Sequence, residues 1–174
     1  MSEMLCNGLS TKKMKHILFS ENVKECIMQK KSYLGWIPIV ESENDLYEKI
    51  SINLKFPYFG MNWDALIDMY RDFEWIDQED IVIMHEGLTK LPIDDLERYI
   101  EIVLRCLDYW IHYPSSETQV DTSQYAEWEL AFDVYQPHII LFVFPKNEEK
   151  RIMELINKFM HTLSFERNLK VDEL

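Results

Sequence analysis

The chain holds only four glycines in 174 residues, and no GxGxxG, P-loop or nucleophile elbow is spelled out among them. With so little glycine there is no backbone to wrap a phosphate, and the common nucleotide-binding and hydrolase signatures are excluded. Cysteine is scarce as well. Cys6, Cys26 and Cys106 are an odd number without CxxC or Cys/His spacing, so neither a disulfide framework nor a zinc site is expected. His85-Glu86 lacks the second histidine of HExxH, and His16, His112, His138 and His161 show no ligand spacing, so the histidines are expected at the surface or at strand ends. Long apolar runs are missing too. After Lys12, Lys13 and Lys15 only Ile17-Leu18-Phe19 follows, too short for a signal h-region or a membrane span. The chain therefore reads as cytoplasmic, and the terminal Val171-Asp172-Glu173-Leu174, which resembles a retention address of the endoplasmic reticulum, as a coincidence.

Positive charge is the other deficit. Eighteen Lys and Arg face thirty-one Asp and Glu, a net charge of −13. Between Val40 and Ile102 sixteen acids meet five bases, so −11 of the total lies in that stretch. Such a surface repels nucleic acid and anionic membrane and attracts a basic protein, although an acidic composition by itself also serves solubility.

Against these absences stand 47% hydrophobic and 13% aromatic residues, enough for one sizeable core. A single domain with additions is expected: an N-terminal extension over 1–34, a central domain over 35–145 with an insertion at 114–137, and a C-terminal helix and tail over 146–174.

Residues 35–40 are apolar and β-branched and read as a strand, with Pro38 at a position needing no ladder N–H. The capping cluster at 42–45 opens a helix whose stripe is Leu46, Ile50 and Leu54. Residues 80–84 form a buried strand. Leu91-Pro92 precedes a long amphipathic helix carried by Leu96, Tyr99, Ile100, Val103, Leu104, Leu107 and Trp110. A polar loop follows over 113–123. Residues 127–134 alternate as a half-exposed strand would and 139–144 run apolar, with Gln136-Pro137 between them as a hairpin turn. A closing helix spans 150–163, and the tail beyond Ser164 is expected to fray. The order β-α-α-β-α-β implies a small parallel sheet flanked by helices, an α/β fold.

The stretch 55–75 gathers an aromatic turn, a helix cap and a row of acids. Pro57 biases its predecessor towards extended backbone, Gly60 permits a positive-φ turn, and Asn62 stands where an N-cap would. The helix should start at Trp63. On it Trp63, Leu66 and Tyr70 share one face, while Asp64, Asp68 and Asp72 share another. Three carboxylates four residues apart spread over about 12 Å of axis, too far for one cation shell. Asp64 lies in the first turn, where the helix dipole favours an acid whatever its use. Asp68 lies beyond most of that effect and is better explained by use than by stability. Tyr58 and Phe59 sit in the turn, where large aromatics either plug the core or stand ready for a partner.

The run Tyr58-Phe59-Gly60-Met61-Asn62-Trp63-Asp64-Ala65-Leu66, followed by Asp68, resembles the signature of the barstar family of ribonuclease inhibitors. The resemblance covers roughly 35–113 and the strand at Ile139. It implies a three-stranded parallel sheet and a surface that plugs a ribonuclease active site, with carboxylates at phosphate positions meeting the enzyme's Arg, Lys and His. Carried onto this chain it gives a partner-binding set of Tyr58, Phe59, Gly60, Asn62, Asp64, Asp68 and Asp72. The family's glutamate on the later helix has no clean counterpart, and Glu101 and Asp108 are the acids nearest that place. The expected function is an immunity-type inhibitor of a basic nuclease or toxin, not an enzyme, without cofactor or metal, monomeric or weakly dimeric. An acidic adaptor binding a basic partner other than a nuclease, or a metal-dependent hydrolase built on the acidic groove, are the alternatives.

Overall fold

The computed structural model describes residues 16–21, 32–112, 138–163, 165 and 169–174. The elements are β1 (Ile17–Ser20), β2 (Tyr33–Ile37), α1 (Glu43–Asn53), α2 (Trp63–Asp72), β3 (Asp80–His85), α3 (Ile93–Ile111), β4 (Ile139–Pro145) and α4 (Glu149–Thr162). The expected strands and helices at 35–40, 42–55, 63–76, 80–84, 91–110, 139–144 and 150–163 are all present within a few residues of these bounds. The expected strand at 127–134 and its hairpin lie outside the described residues.

All four strands are parallel, in the order β1-β4-β3-β2. The steps from β2 to β3 and from β3 to β4 run in one direction, so right-handed crossovers bring their helices to one face. On that face Ile37, Ile81, Ile83, Ile140, Phe142 and Phe144 meet Leu46 and Ile50 of α1, Leu66 and Tyr70 of α2, Tyr99 and Val103 of α3 and Ile152 and Ile156 of α4 in one core. The opposite residues of the same strands, Val82, Met84 and Val143, form a smaller cluster with Trp36 and Leu141. Strands covered on both faces favour apolar side chains at successive positions, which is why 81–84 and 139–144 run apolar without alternation.

Among the described residues the sheet has four strands, where three are implied by the family likeness. The additional one, β1, aligns Ile17 with Phe142 and Phe19 with Phe144. Its start is held by the tail: the backbone N–H groups of His16 and Ile17 both donate to the carbonyl oxygen of Leu174, at 2.6 and 3.0 Å. The fraying expected beyond Ser164 is therefore not found at 169–174. Leu169 is buried, and its N–H donates to the buried carboxylate of Asp108 on α3 at 3.0 Å. A buried carboxylate without donors would be costly, and the tail supplies one.

The histidines meet their expectation, and burial adds to it. His85 ends β3 and His138 directly precedes β4, so both stand at strand ends, yet both are buried. The His85 ring stacks on Phe144 at 4.5 Å between centroids. Its Nδ1 lies 3.2 Å from the carbonyl oxygen of Val143 and its Nε2 lies 2.6 Å from the hydroxyl of Tyr99, which is 3.0 Å from the hydroxyl of Tyr70. One proton arrangement satisfies the chain: Nδ1–H donates to Val143, and Nε2 of a neutral ring accepts from Tyr99. Burial pushes the His85 pKa down to about 4.

An imidazole that stays neutral when folded and titrates near 6.5 when unfolded makes stability pH-dependent. The contribution is fully present above pH 6.5 and is lost as the pH falls to about 4, because the unfolded chain takes up the proton first. The size is ~3 kcal/mol for a depression from 6.5 to about 4. Urea denaturation followed against pH should show this loss beginning near pH 6.5, above the range of ordinary carboxylates. The His85→Phe variant should be less stable at pH 7 and flatter between pH 5 and 6.5. An equally steep profile in that variant would assign the dependence elsewhere.

Candidate functional site

The site lies on the outer side of the helical layer, where the 55–62 turn enters α2. Phe56 is half-buried, with its ring edge-on to Phe59 at 5.3 Å, Trp75 at 5.5 Å and Tyr70 at 6.4 Å. Phe59 in turn meets Tyr47 at 5.7 Å, and Tyr47 meets Trp63 at 5.1 Å. Trp75 donates from Nε1 to the carbonyl oxygen of Leu54 at 2.8 Å. These edge-to-face contacts fasten the turn to α1 and α2. Tyr58 takes no part in them and is 68% exposed. Of the two turn aromatics, then, Phe59 packs and Tyr58 faces solvent.

Asn62 caps α2 as its position suggests. With φ −150° its side-chain oxygen accepts from the N–H of Ala65 at 2.8 Å, while its Nδ2 donates back to the carbonyl oxygen of Gly60 at 3.0 Å. Gly60 serves a different purpose from the one its residue type suggests, because no glycine among the described residues has a positive φ. A Cβ there would stand 3.1 Å from Nδ2 of Asn62 and 3.2 Å from Cβ of Ala65. Its bare backbone lets the cap close; the left-handed residue is the next one, Met61, at φ 50°.

Trp63, Leu66, Met69 and Tyr70 bury the inner side of α2. Its last turn is pinned from α3, where Trp110 Nε1 and the Cys106 thiol both donate to the carbonyl oxygen of Tyr70, at 2.7 and 3.3 Å. Phe73 closes the helix in left-handed backbone with its ring in the core, stacked on Tyr70 at 5.9 Å. On the other side Asp64 and Asp68 are exposed, one turn and about 6 Å of axis apart. Neither has an ion-pair partner among the described residues. Of the five cations in the same acidic stretch, Lys49 pairs with Asp45, Lys90 pairs with Glu41, and Arg71 lies over the ring of Tyr109.

Asp72 differs from the other two acids. It is half-buried, accepts from the N–H of Glu74 at 3.3 Å, and is held above the usual carboxylate range by burial, with the charge of Glu74 adding to the effect. Of the two later acids, Asp108 is buried against Leu169 and Glu101 bonds Nε of Arg105 at 2.9 Å. Among the described residues no three His, Cys, Asp or Glu side chains gather as a metal site would require, and no helix is long and apolar enough to cross a membrane.

Sequence reasoning placed Tyr58, Asn62, Asp64 and Asp68 together at one exposed turn and helix face. It missed the supports: Trp110, Cys106 and Tyr99 reach α2 from positions 29 to 40 residues away, and no local pattern marks such bonds.

Fold and site together define an α/β protein that presents a stiff acidic helix and an exposed aromatic turn, a surface suited to binding. The family model described as Barstar (barnase inhibitor) matches residues 38–126, and the chain belongs to the barstar family, which is of the ribonuclease-inhibitor type. No curated protein and no solved structure gives a match.

Capping by Asn62 is a local interaction with a known scale. The Asn62→Ala variant should lose about 1 kcal/mol of stability in urea denaturation. An unchanged midpoint would mean that the turn, and not the cap, sets the start of α2.

Proposed function

We propose that this chain is an immunity-type inhibitor that occludes the active site of a basic ribonuclease or related toxin in the cytoplasm. It performs no chemistry. Asp64 and Asp68 take the places of substrate phosphates, Tyr58 adds an aromatic contact, and Gly60 with Asn62 holds the turn. Phe59 and Asp72 support this surface from its edge. The observation that carries the reading is that Asp64 and Asp68 are exposed, with no ion-pair partner among the described residues, on a helix whose buried side is fixed. An RNA-cleaving site holds cations arranged for an anion, so carboxylates already in position meet charge-assisted hydrogen bonds without the cost of being ordered.

Charge also acts before contact. A stretch carrying −11 steers a basic partner towards the helix, and this help fades as salt screens it.

The test uses barnase, the enzyme in the family's description. Asp68→Ala should weaken inhibition about 100-fold or more, as loss of one member of a buried charge pair does in general. Its thermal midpoint should stay within about 2 °C of the parent, because an exposed mid-helix Asp supports no packing. The association rate of the unaltered chain should fall as salt rises. Inhibition by Asp68→Ala equal to that of the parent would remove the reading.

A further inference from the structure

Three residues other than glycine adopt left-handed backbone among the described residues: Lys55 at φ 54°, Met61 at φ 50° and Phe73 at φ 52°. For an L-residue this conformation is unfavourable, so each needs a compensation or a use. Phe73 directly ends α2 and is buried, with its ring among Tyr70, Trp75 and Trp110. Lys55 follows the C-cap of α1, a place where helices commonly turn left-handed, and carries a solvated charge. Met61 has neither. It precedes the cap of α2, and its side chain is 41% exposed.

Stability therefore does not account for methionine at this position. Glycine or asparagine would fit the backbone better, and a polar side chain would suit the exposure. Gly60, one residue earlier, does not relieve the backbone, because its bareness is used for the close approach to Asn62 and Ala65. Met61 belongs to the same short turn as Pro57 and Tyr58, both exposed, and stands three residues before Asp64. A flexible, polarizable thioether side chain is well suited to fill an irregular apolar hollow.

We infer that Met61 is an apolar contact for the partner, and that the partner carries an apolar hollow beside its cationic cleft. The inference rests on the inhibitor reading and adds to it a determinant of specificity: charge brings the partner in, and the turn selects among basic proteins by shape. Left-handed backbone at Met61 directs its side chain from the turn, whereas Asp64 and Asp68 project from the helix, so the two contacts come from separate backbone segments.

The experiment measures binding to barnase and thermal midpoints for the full chain and for Met61→Gly, Met61→Asn and Met61→Leu, with Asp68→Ala as the reference for charge. Met61→Gly and Met61→Asn should each lose about 10-fold in affinity while keeping or raising the midpoint, by up to about 3 °C. Met61→Leu should bind within about 3-fold of the parent. Light scattering on the free proteins should show one oligomeric state throughout. Parent-like binding by Met61→Asn overturns the contact while leaving the inhibitor reading intact. Lower midpoints in both Gly and Asn variants would mean that Met61 supports the fold, and self-association lost only in these variants would assign the turn to a second copy of the chain; either overturns the inference. A parent chain that binds neither barnase nor any of a panel of other basic ribonucleases at low salt overturns both readings; that arm is scored first, and the variants are measured against the enzyme that the parent binds.

Discussion

The carbonyl oxygen of Tyr70 is the point on which the exposed helix depends. A helix leaves its last carbonyls without partners, and here one of them is buried, where an unmet acceptor is costly. Trp110 Nε1 and the Cys106 thiol meet it from α3, and the hydroxyl of the same tyrosine continues through Tyr99 to His85 at the end of β3. One residue of α2 is thereby tied both to the neighbouring helix and to the sheet. Rotation of α2 about its axis would break several of these bonds together, so the directions in which Asp64 and Asp68 point follow from contacts on the opposite side of the helix. Rigidity of this kind lowers the entropy lost on binding without adding a contact.

Several acids among the described residues are neutralised or hydrogen-bonded within the fold. Asp45, Glu97, Glu101 and Glu149 each meet a cation, and Asp108 and Glu148 are buried on backbone N–H donors of Leu169 and Leu88. Asp64 and Asp68, like the exposed acids Glu48, Asp77 and Asp94, have no ion-pair partner among the described residues. Two carboxylates a turn apart, with no cation against them among the described residues, repel each other modestly in water, a repulsion that a cationic surface would remove. The aromatic contacts among Tyr47, Phe56, Phe59, Trp63 and Tyr70 hold the turn and helix in place meanwhile.

Much of this was legible in the sequence where the determinant is local. Asn62 before an apolar stripe marks the start of α2, the seven apolar positions from Leu96 to Trp110 mark α3, and unbroken apolar runs mark the central strands. Non-local determinants left no trace. Ile17-Leu18-Phe19 is too short to announce a strand, and it becomes one through pairing with β4 and through the carbonyl of Leu174, contacts more than a hundred residues apart in the chain. His85 carries no signal of burial in its own neighbourhood, because its partners Val143 and Tyr99 come from other elements. Gly60 and Met61 show a finer limit: composition marks a tight turn at this place, but which residue takes the left-handed angle depends on how closely the cap must approach.

A division of labour follows from where each side chain goes. Tyr58, Met61, Asp64 and Asp68 expose their side chains, and their replacement leaves the core as it is. Phe59, Tyr70, Cys106 and Trp110 lie behind them, and a change at any of these alters the packing and the aim of the helix together. The outward set is therefore free of folding constraints that the inward set carries. On the proposed reading, two carboxylates of α2 and two exposed side chains of the preceding turn could be retuned to a differently shaped basic cleft with little loss of stability, because they lie away from the side chains that pack the core.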